Sequence, residues 1–151
     1  MAFETVRCAQ RINAATDRWR KRFAWTSVSG VADFKKLLVW QKAHALALNA
    51  HRIAKRIRKP YDASLRSQLI RAAFSIPTNI VEGRRQATDK EFARFLRIAL
   101  NSGCELEYHV MAARDIDAIC EVDSDNLIHQ AIEVRKMLHG LIAKLDHPEK
   151  P

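Results

Sequence analysis

Glycine and proline are both scarce in this chain, with four residues of each type among 151. Both residues interrupt helices, whereas alanine, leucine and arginine, which are abundant here, are good helix formers. This balance argues against a sheet protein and favours an all-α fold. The chain is long enough for one domain with a sizeable buried core.

Cysteines and long apolar runs are also scarce. The three cysteines, Cys8, Cys104 and Cys120, are odd in number and lack CxxC spacing, which argues against a disulfide framework and against a zinc site. This usage is typical of a reducing compartment, so we expect a cytoplasmic protein. No apolar run reaches the roughly 20 residues that a membrane span requires, and we expect no membrane partner.

Acidic residues are few in the first two thirds of the chain and frequent in the last third. Residues 1–32 carry six basic and two acidic side chains, residues 33–97 carry fifteen and five, and residues 98–151 carry five and ten. The excess of positive charge in the middle segment fits a polyanion or an acidic partner. The alternative is that helices of opposite charge attract each other within the fold.

Residues 1–32 do not share the pattern of the rest. They contain a basic and aromatic cluster at residues 18–25 and lack the apolar core of a secretory signal. Aromatic side chains could stack on bases while arginines contact phosphates, so one hypothesis is a nucleic-acid-binding arm. The interpretation that we favour is a disordered basic extension outside the folded domain, which we place at residues 33–147.

Apolar residues recur every three or four positions in four segments, which is the spacing of helices that face a core. The first helix is predicted to begin near Asp33 and to span about 25 residues. Its core positions are Val39, Ala43, Leu46, Ala50, Ile53 and Ile57. Pro60 ends this helix, and Asp62 or Ser64 caps the second, which runs to about Gln86 unless Gly83 ends it early. The core face of the second helix is Leu65, Leu69, Ala72, Ile76 and Ile80.

Thr88 and Glu91 have the spacing of a capping box, so a third helix is predicted to begin there. Gly103 lies in mid-helix, and we interpret it, with Ala99, as a point where two helices approach closely. A fourth helix is predicted to be capped by residues 123–125 and to end near His147. Four long helices with short connections predict an antiparallel up-and-down four-helix bundle.

The second helix has more apolar surface than one core-facing stripe requires. Ile70, Phe74 and Val81 form a second apolar strip on a different face, and we expect them at an oligomer interface. A polar stripe lies between the two apolar faces; with one residue of the third helix it comprises Arg71, Ser75, Asn79, Glu82 and Glu107. We interpret this stripe as structural, with a partly buried ion pair at Arg71; the alternative is a socket for a ligand or partner.

Four basic residues near the end of the first helix are the candidate nucleic-acid-binding residues: Arg52, Lys55, Arg56 and Lys59. They could contact phosphates, because a row of cations matches the charge of a nucleic-acid backbone. The alternative is a solvated helix face whose charges interact favourably with the helix dipole.

Patterns for catalysis and for metal binding are missing from the sequence. A di-iron bundle needs Glu-x-x-His on two helices, and the chain has none. Glu105 and His109 are four residues apart and could bind a metal only weakly, and Arg135 and His139 are closer in sequence than the pair of a helical ribonuclease of the HEPN type. We interpret Cys104 as a small helix-packing residue. We therefore expect no enzyme, no metal and no cofactor.

Four blocks of the sequence resemble one known family. They are residues 38–43, 68–83, 91–96 and 105–107, and the most specific is Ser-Ile-Pro-x-Asn-Ile-x-Glu-Gly at residues 75–83. These blocks are similar to those of the four-helix-bundle proteins first noticed in intervening sequences of bacterial 23S ribosomal RNA. The resemblance covers about residues 33–145. It departs at one point, since members usually have Gly-Ser before the Glu-Leu-Glu block and this chain has Asn-Ser, with its glycine one place later.

The resemblance implies a bacterial homopentamer without catalytic residues. A relative, the accessory variability protein of diversity-generating retroelements, has a basic surface that engages nucleic acid and a reverse transcriptase. The resemblance therefore implies RNA or a reverse-transcriptase-like protein as a partner. Taken together, these observations predict a non-enzymatic homo-oligomeric module that binds RNA or a nucleoprotein partner through a basic surface. The alternative is a structural or protein-interaction module without nucleic-acid binding.

Overall fold

The computed structural model describes residues 33–147, and these residues form an antiparallel up-and-down four-helix bundle. The four helices are α1 (Leu38–Ala54), α2 (Ala63–Arg84), α3 (Asp89–Asp115) and α4 (Glu121–Asp146). Each helix packs against the next along the chain, and α1 also packs against α4. The predicted fold is thereby confirmed, whereas the expectation for residues 1–32 falls outside the described range.

The core consists of the apolar faces that the sequence periodicity predicts. In α1 and just after it, all six predicted positions are buried: Val39, Ala43, Leu46, Ala50, Ile53 and Ile57. In α2, four of the five are buried and Leu65 is half-buried. Each helix therefore contributes one stripe to a single core. No helix within residues 33–147 is long and apolar enough to cross a membrane.

The first helix is shorter than predicted. A 3₁₀ turn at Phe34–Lys36 comes first, with the Asp33 side chain accepting from the Lys35 backbone N–H, and Leu37 is then extended before α1 begins. The α-helix therefore has 17 residues. Apolar periodicity alone missed this break because Phe34, Leu37 and Leu38 are spaced by three and four residues, as they would be in a continuous helix. At the other end, α1 stops at Ala54, so the predicted basic strip extends beyond the helix.

The predicted start of the fourth helix is wrong by a few residues. The helix begins at Glu121 with Cys120 in the N-cap position, so residues 123–125 lie inside it. Ser124 is fully buried rather than exposed at a cap. Asp62 does occupy the N-cap position of α2, but its side chain makes no capping hydrogen bond. Thr88 is the N-cap of α3 as predicted, because its side chain accepts from the Glu91 backbone N–H; the Glu91 carboxylate accepts from the Thr88 hydroxyl rather than from its backbone N–H.

Two buried glycines allow α3 to approach its neighbours closely. A Cβ at Gly83 would lie 2.6 Å from Phe95 Cβ, and one at Gly103 would lie 3.0 Å from Arg135 Cγ. Close approach at Gly103 agrees with its predicted role. Gly83 does not end α2, which continues to Arg84; its role is to let the end of α2 lie directly on α3.

Candidate nucleic-acid interface

The four candidate phosphate-binding residues lie at one end of the bundle, where α1 ends and the chain turns towards α2. Arg52 is in the last turn of α1, Lys55 follows as its C-cap residue, and Arg56 and Lys59 lie in the connection. All four side chains are exposed, and so is Arg58 between them. The structure thus brings the predicted residues together and adds a fifth cation. We call these five residues the α1–α2 cluster.

Two members of the α1–α2 cluster already have partners within the fold. Arg52 Nη2 donates to Asn49 Oδ1 at 2.6 Å, and Arg56 Nη1 lies 3.0 Å from Asp123 Oδ2. Lys59 Nζ lies 5.7 Å from the centroid of the Tyr61 ring, a contact that orients the ammonium group without neutralising it. Lys55 and Arg58 make no ion pair with any residue between positions 33 and 147. Asn49 is neutral, so within residues 33–147 only Arg56 has its charge offset by a carboxylate, and the charge available to a ligand is carried by Arg52, Lys55, Arg58 and Lys59.

One acidic residue of the α3–α4 connection, Asp117, lies beside the α1–α2 cluster. A shallow cleft of about 250 Å³ is lined by residues of both connections: Arg56, Ile57, Arg58, Lys59, Asp62, Asp117 and Ala118. Asp117 has a positive φ of 56°, in the left-handed region that aspartate tolerates better than most residues. This end of the bundle therefore carries both signs of charge, with the basic side formed by the α1–α2 connection.

Ion pairs connect the basic and acidic parts of the sequence at several points on the bundle surface. Four of the fifteen basic residues in the segment 33–97 pair with carboxylates after residue 97, at distances of 2.6–3.1 Å: Lys42–Glu133, Arg56–Asp123, Arg71–Glu105 and Arg97–Asp146. Attraction between oppositely charged helices is thus present in the fold. The other eleven basic residues still outnumber the five acidic residues of the same segment.

The polar stripe of α2 contacts α3 at two levels. The Ser75 and Ser102 hydroxyls lie 2.9 Å apart, and Asn79 Nδ2 donates to the Ser75 carbonyl at 2.8 Å and to its hydroxyl at 3.0 Å. Arg71 Nη2 lies 3.1 Å from Glu105 Oε1. The Arg71 side chain is 69% exposed, so the ion pair that we expected to be partly buried lies at the surface.

The two remaining stripe residues differ from each other. Glu107 is on the other flank of α3 and pairs with Arg135 of α4, with both side chains largely covered. Glu82 is exposed, and its side chain makes no hydrogen bond or ion pair with residues 33–147. Four of the five stripe residues therefore make hydrogen bonds or ion pairs within the bundle. Glu82 is the exception.

The second apolar strip of α2 lies on the flank towards α1. Ile70, Phe74 and Val81 are all half-buried, and the His51 ring of α1 contacts the Phe74 ring edge-on at a centroid distance of 6.1 Å. An intramolecular neighbour therefore covers part of the strip. More exposed apolar side chains lie elsewhere, such as Tyr108 and Met111 on the outer face of α3, at 66% and 41% exposure.

The groups considered for metal binding and catalysis make simple contacts. His109 Nε2 lies 3.5 Å from Glu105 Oε1, and no group of three or more ligand-type side chains that could hold a metal ion occurs in the part of the chain that the structure describes. Arg135 is held by Glu107, and His139 is exposed. Cys104 is exposed, so the interpretation of this residue as a helix-packing residue is wrong: it lies on the outer face of α3.

Comparison with protein families matches residues 35–140 to the model for the 23S rRNA-intervening sequence protein. The chain belongs to this family. Among solved structures it is similar to a protein of unknown function from the S23 ribosomal protein family of Bacteroides thetaiotaomicron, with 23% identity and a TM-score of 0.66. That match covers 70% of this chain and 98% of the other, and it supports the fold. A search of curated proteins gives no match.

Sequence reasoning missed two groups of polar residues in this member of the family. One is a polar seam between α1 and α4, at Lys42–Glu133, Asn49–Asn126 and Arg56–Asp123. The sequence feature that could have revealed this seam is the seven-residue spacing of positions 42, 49 and 56, the last of which lies just beyond α1. The other is a second basic group around the α2–α3 turn, at Arg84, Arg85, Lys90 and Arg94, which we call the α2–α3 cluster. The sequence feature that could have revealed this cluster is the high density of basic residues on both sides of Thr88.

Proposed function

We propose that the protein is a non-catalytic homo-oligomeric module that binds structured RNA through a basic surface. The observation that carries this proposal is the exposed α1–α2 cluster, in which Lys55, Arg58 and Lys59 project without carboxylate partners among residues 33–147. Cations in such an arrangement contact phosphates, which every nucleic-acid sequence presents, so binding is expected to tolerate sequence changes. The link of the family name to ribosomal RNA supports RNA as the polyanion.

Oligomerisation would strengthen such binding. Each copy brings the same excess of basic residues, so a ring of copies presents a multiplied field to a long polyanion. The pentamer implied by the family resemblance is the assembly that we favour. The half-buried strip of Ile70, Phe74 and Val81 remains our proposed interface.

A second candidate function is a protein-interaction module without nucleic-acid binding. It is favoured by Asp117 and Asp123, which lie beside the α1–α2 cluster and offset part of its charge. It is also favoured by Tyr108 and Met111, whose exposed side chains could pack against another protein.

Binding of the full chain to a short RNA hairpin separates these two functions. The test variant is Lys55→Glu/Lys59→Glu. The matched control is Lys136→Glu/Lys144→Glu, which makes the same change in net charge at exposed positions of α4. We expect the test variant to bind at least about ten-fold more weakly, equivalent to about 1.4 kcal/mol, and the control to stay close to the wild type. The slope of log affinity against log salt should also become shallower by about 0.7–0.9 per lost phosphate contact.

Equal losses in both variants would mean that net charge, rather than the α1–α2 cluster, governs binding. If the wild-type protein does not retain the hairpin even near about 50 mM salt, where phosphate contacts are strong, RNA binding is excluded. The protein-interaction module would then be the better description.

A further inference from the structure

We propose that the α2–α3 cluster is a second RNA-binding surface, at the opposite end of the bundle, and that the two surfaces allow the protein to bridge two RNA segments. The inference rests on the proposed RNA binding and extends it to a site that the sequence reasoning did not assign. In an up-and-down bundle the α1–α2 and α2–α3 connections lie at opposite ends. The two clusters therefore face in opposite directions.

The α2–α3 cluster is brought together by a tight junction between two helices. Arg84 is the last residue of α2 and Arg85 its C-cap residue, while Lys90 lies in the first turn of α3 and Arg94 one turn later. The junction is tight because Gly83 has no side chain: a Cβ there would lie 2.6 Å from Phe95 Cβ and 2.9 Å from Phe92 Cδ2. The basic residues of both helix ends are thereby concentrated on one short surface.

Aromatic rings hold two of the arginines in place. The guanidinium carbon of Arg84 lies 5.7 Å from the centroid of the Phe92 ring, and that of Arg94 lies 4.8 Å from the centroid of the Phe95 ring. Such contacts restrict the guanidinium group without neutralising its charge, so less side-chain entropy is lost when a phosphate binds. Arg84 Nε is buried and has no hydrogen-bond partner in the fold. Arg94 is exposed and keeps its planar set of donors for the two oxygens of a phosphate, whereas at Arg84 the buried Nε is turned away from solvent.

The α2–α3 cluster is less offset by internal ion pairs than the α1–α2 cluster. Arg85, Lys90 and Arg94 are exposed and make no ion pair with residues 33–147. Of the nearby carboxylates, Glu91 is engaged in the cap with Thr88, whereas Glu82 and Asp89 are exposed and make no ion pair with residues 33–147. By contrast, Arg56 in the first cluster is paired with Asp123.

RNA is the partner that this surface fits best. The cluster consists of four cations, three of them arginines; Arg84 is half-buried and the other three are exposed to solvent. The exposed large apolar side chains of the bundle lie outside the turn itself, so the surface lacks the apolar centre of a typical protein interface. Phosphate recognition needs cations and hydrogen-bond donors only, and the surface supplies both.

Because of the distance between the clusters, we expect each to bind its own RNA segment rather than both to form one continuous binding surface. The two are separated by α2, whose 22 residues span about 33 Å at 1.5 Å per residue. Two surfaces facing away from each other at this separation can each hold a separate helical arm. Contacts at both ends would then hold the two arms at a fixed distance.

A capture experiment with two RNA hairpins tests the inference. One hairpin is immobilised, the full-length protein is added, and the retention of a second, fluorescent hairpin is measured. We expect the wild type and the Lys136→Glu/Lys144→Glu control to retain the second hairpin. We expect Arg85→Glu/Arg94→Glu to bind a single hairpin within about ten-fold of the wild type, or about 1.4 kcal/mol, but to lose most of the capture. Lys55→Glu/Lys59→Glu should lose capture as well. Circular dichroism confirms that each variant is folded.

Three outcomes overturn the inference, and they are distinguishable from failure of the proposed function. Full capture by the Arg85→Glu/Arg94→Glu variant means that the α2–α3 cluster is not needed for bridging, while single-hairpin binding still supports the proposed function. Full capture by both single-end variants means that bridging comes from oligomerisation alone. Absence of single-hairpin binding by the wild type overturns the inference and the proposed function together.

Discussion

Two glycines in the helices of this bundle have opposite environments. A Cβ at Gly83 would lie 2.6 Å from Phe95 Cβ, whereas one at Gly140, in mid-α4, would have no heavy atom within 4 Å. Phe95 Cβ is next to the backbone, so it cannot move away without shifting α3. We expect Gly83→Ala to lower the free energy of unfolding by about 1 kcal/mol or more, because overpacking costs about 1–3 kcal/mol and the better helix propensity of alanine returns at most about 1.

Gly140→Ala is the matched control, because the same propensity gain comes there without a clash. It should raise the free energy of unfolding by about 0.5–1 kcal/mol. Urea denaturation followed by circular dichroism measures both variants. If Gly83→Ala proves as stable as Gly140→Ala, the tight junction of α2 with α3 is not rigid, and the basic residues around it are not held as described.

His44 makes the stability of the bundle depend on pH. It is half-buried in α1 with its ring stacked on Trp40 at 5.1 Å between centroids, and burial lowers its pKa from the ordinary value of 6.5. As the pH falls below about 6.5, the unfolded chain takes up this proton before the folded chain does, so His44 then favours unfolding. The loss of stability continues until the pH reaches the lowered pKa of the folded state.

We therefore expect the urea midpoint of the wild type to fall more than that of His44→Gln between about pH 7 and about pH 5.5. The other titrating groups are common to both proteins, so the difference between the two falls isolates His44. Parallel falls in the two proteins would show that protonation of His44 does not distinguish the folded from the unfolded state.

At the scale of helices, the sequence predicts core faces better than boundaries. The apolar period identified the buried positions of α1 and α2 because burial selects one stripe per helix. It did not reveal the extended residue Leu37 that separates the first turn from α1, since an apolar pattern can continue across a break. The start of α4 was placed too late because residues 123–125 are good capping residues, whereas the extended backbone at Cys120 ends the preceding connection. Capping residues correctly predicted the starts of α2, at Asp62, and of α3, at Thr88, although only Thr88 makes a capping hydrogen bond.

Two carboxylates of α3 connect this helix to its two neighbours. Glu105 pairs with Arg71 of α2 at the surface, and Glu107 pairs with Arg135 of α4 with both side chains largely covered. Surface pairs contribute about 0–1 kcal/mol, whereas removing one partner of a covered pair leaves a charge without compensation. We expect Glu107→Gln to lower the free energy of unfolding by about 1–3 kcal/mol and Glu105→Gln by less than about 1.

The comparison uses two identical substitutions, two residues apart on one helix, measured by urea denaturation. If both cost the same, covering of the Glu107–Arg135 pair has no energetic consequence. In that case the position of Arg135 between α3 and α4 would depend mainly on the packing of its aliphatic side-chain atoms against Gly103.

At the scale of the whole molecule, the sequence predicts the fold and the family but not the distribution of charge over the surface. The fold followed from four periodic segments, and the family from blocks such as residues 75–83. The charge contrast between the two parts of the sequence was visible, but which basic residues meet acidic ones depends on helix pairing. Arg56 thus meets Asp123, 67 positions away, while the α2–α3 cluster keeps its positive charge. Contacts at such separations cannot be read from local patterns.

Self-association is the last property that the structure makes testable. The second apolar strip of α2 is half-buried, so each copy leaves part of Ile70, Phe74 and Val81 in contact with water. If this surface forms the interface, light scattering coupled to size exclusion should give about five times the 17.3 kDa mass of the chain. Val81→Lys should convert the protein to a folded monomer, because a cation at the interface has to be desolvated.

Tyr108→Lys is the control, since this side chain is exposed on α3, away from the strip. Dissociation of the Tyr108→Lys variant, with an intact Val81→Lys oligomer, would move the interface to the outer face of α3. If the wild-type protein stays monomeric at a concentration of about tens of micromolar, the proposed oligomer is excluded, because copies that associate so weakly do not form an obligate assembly.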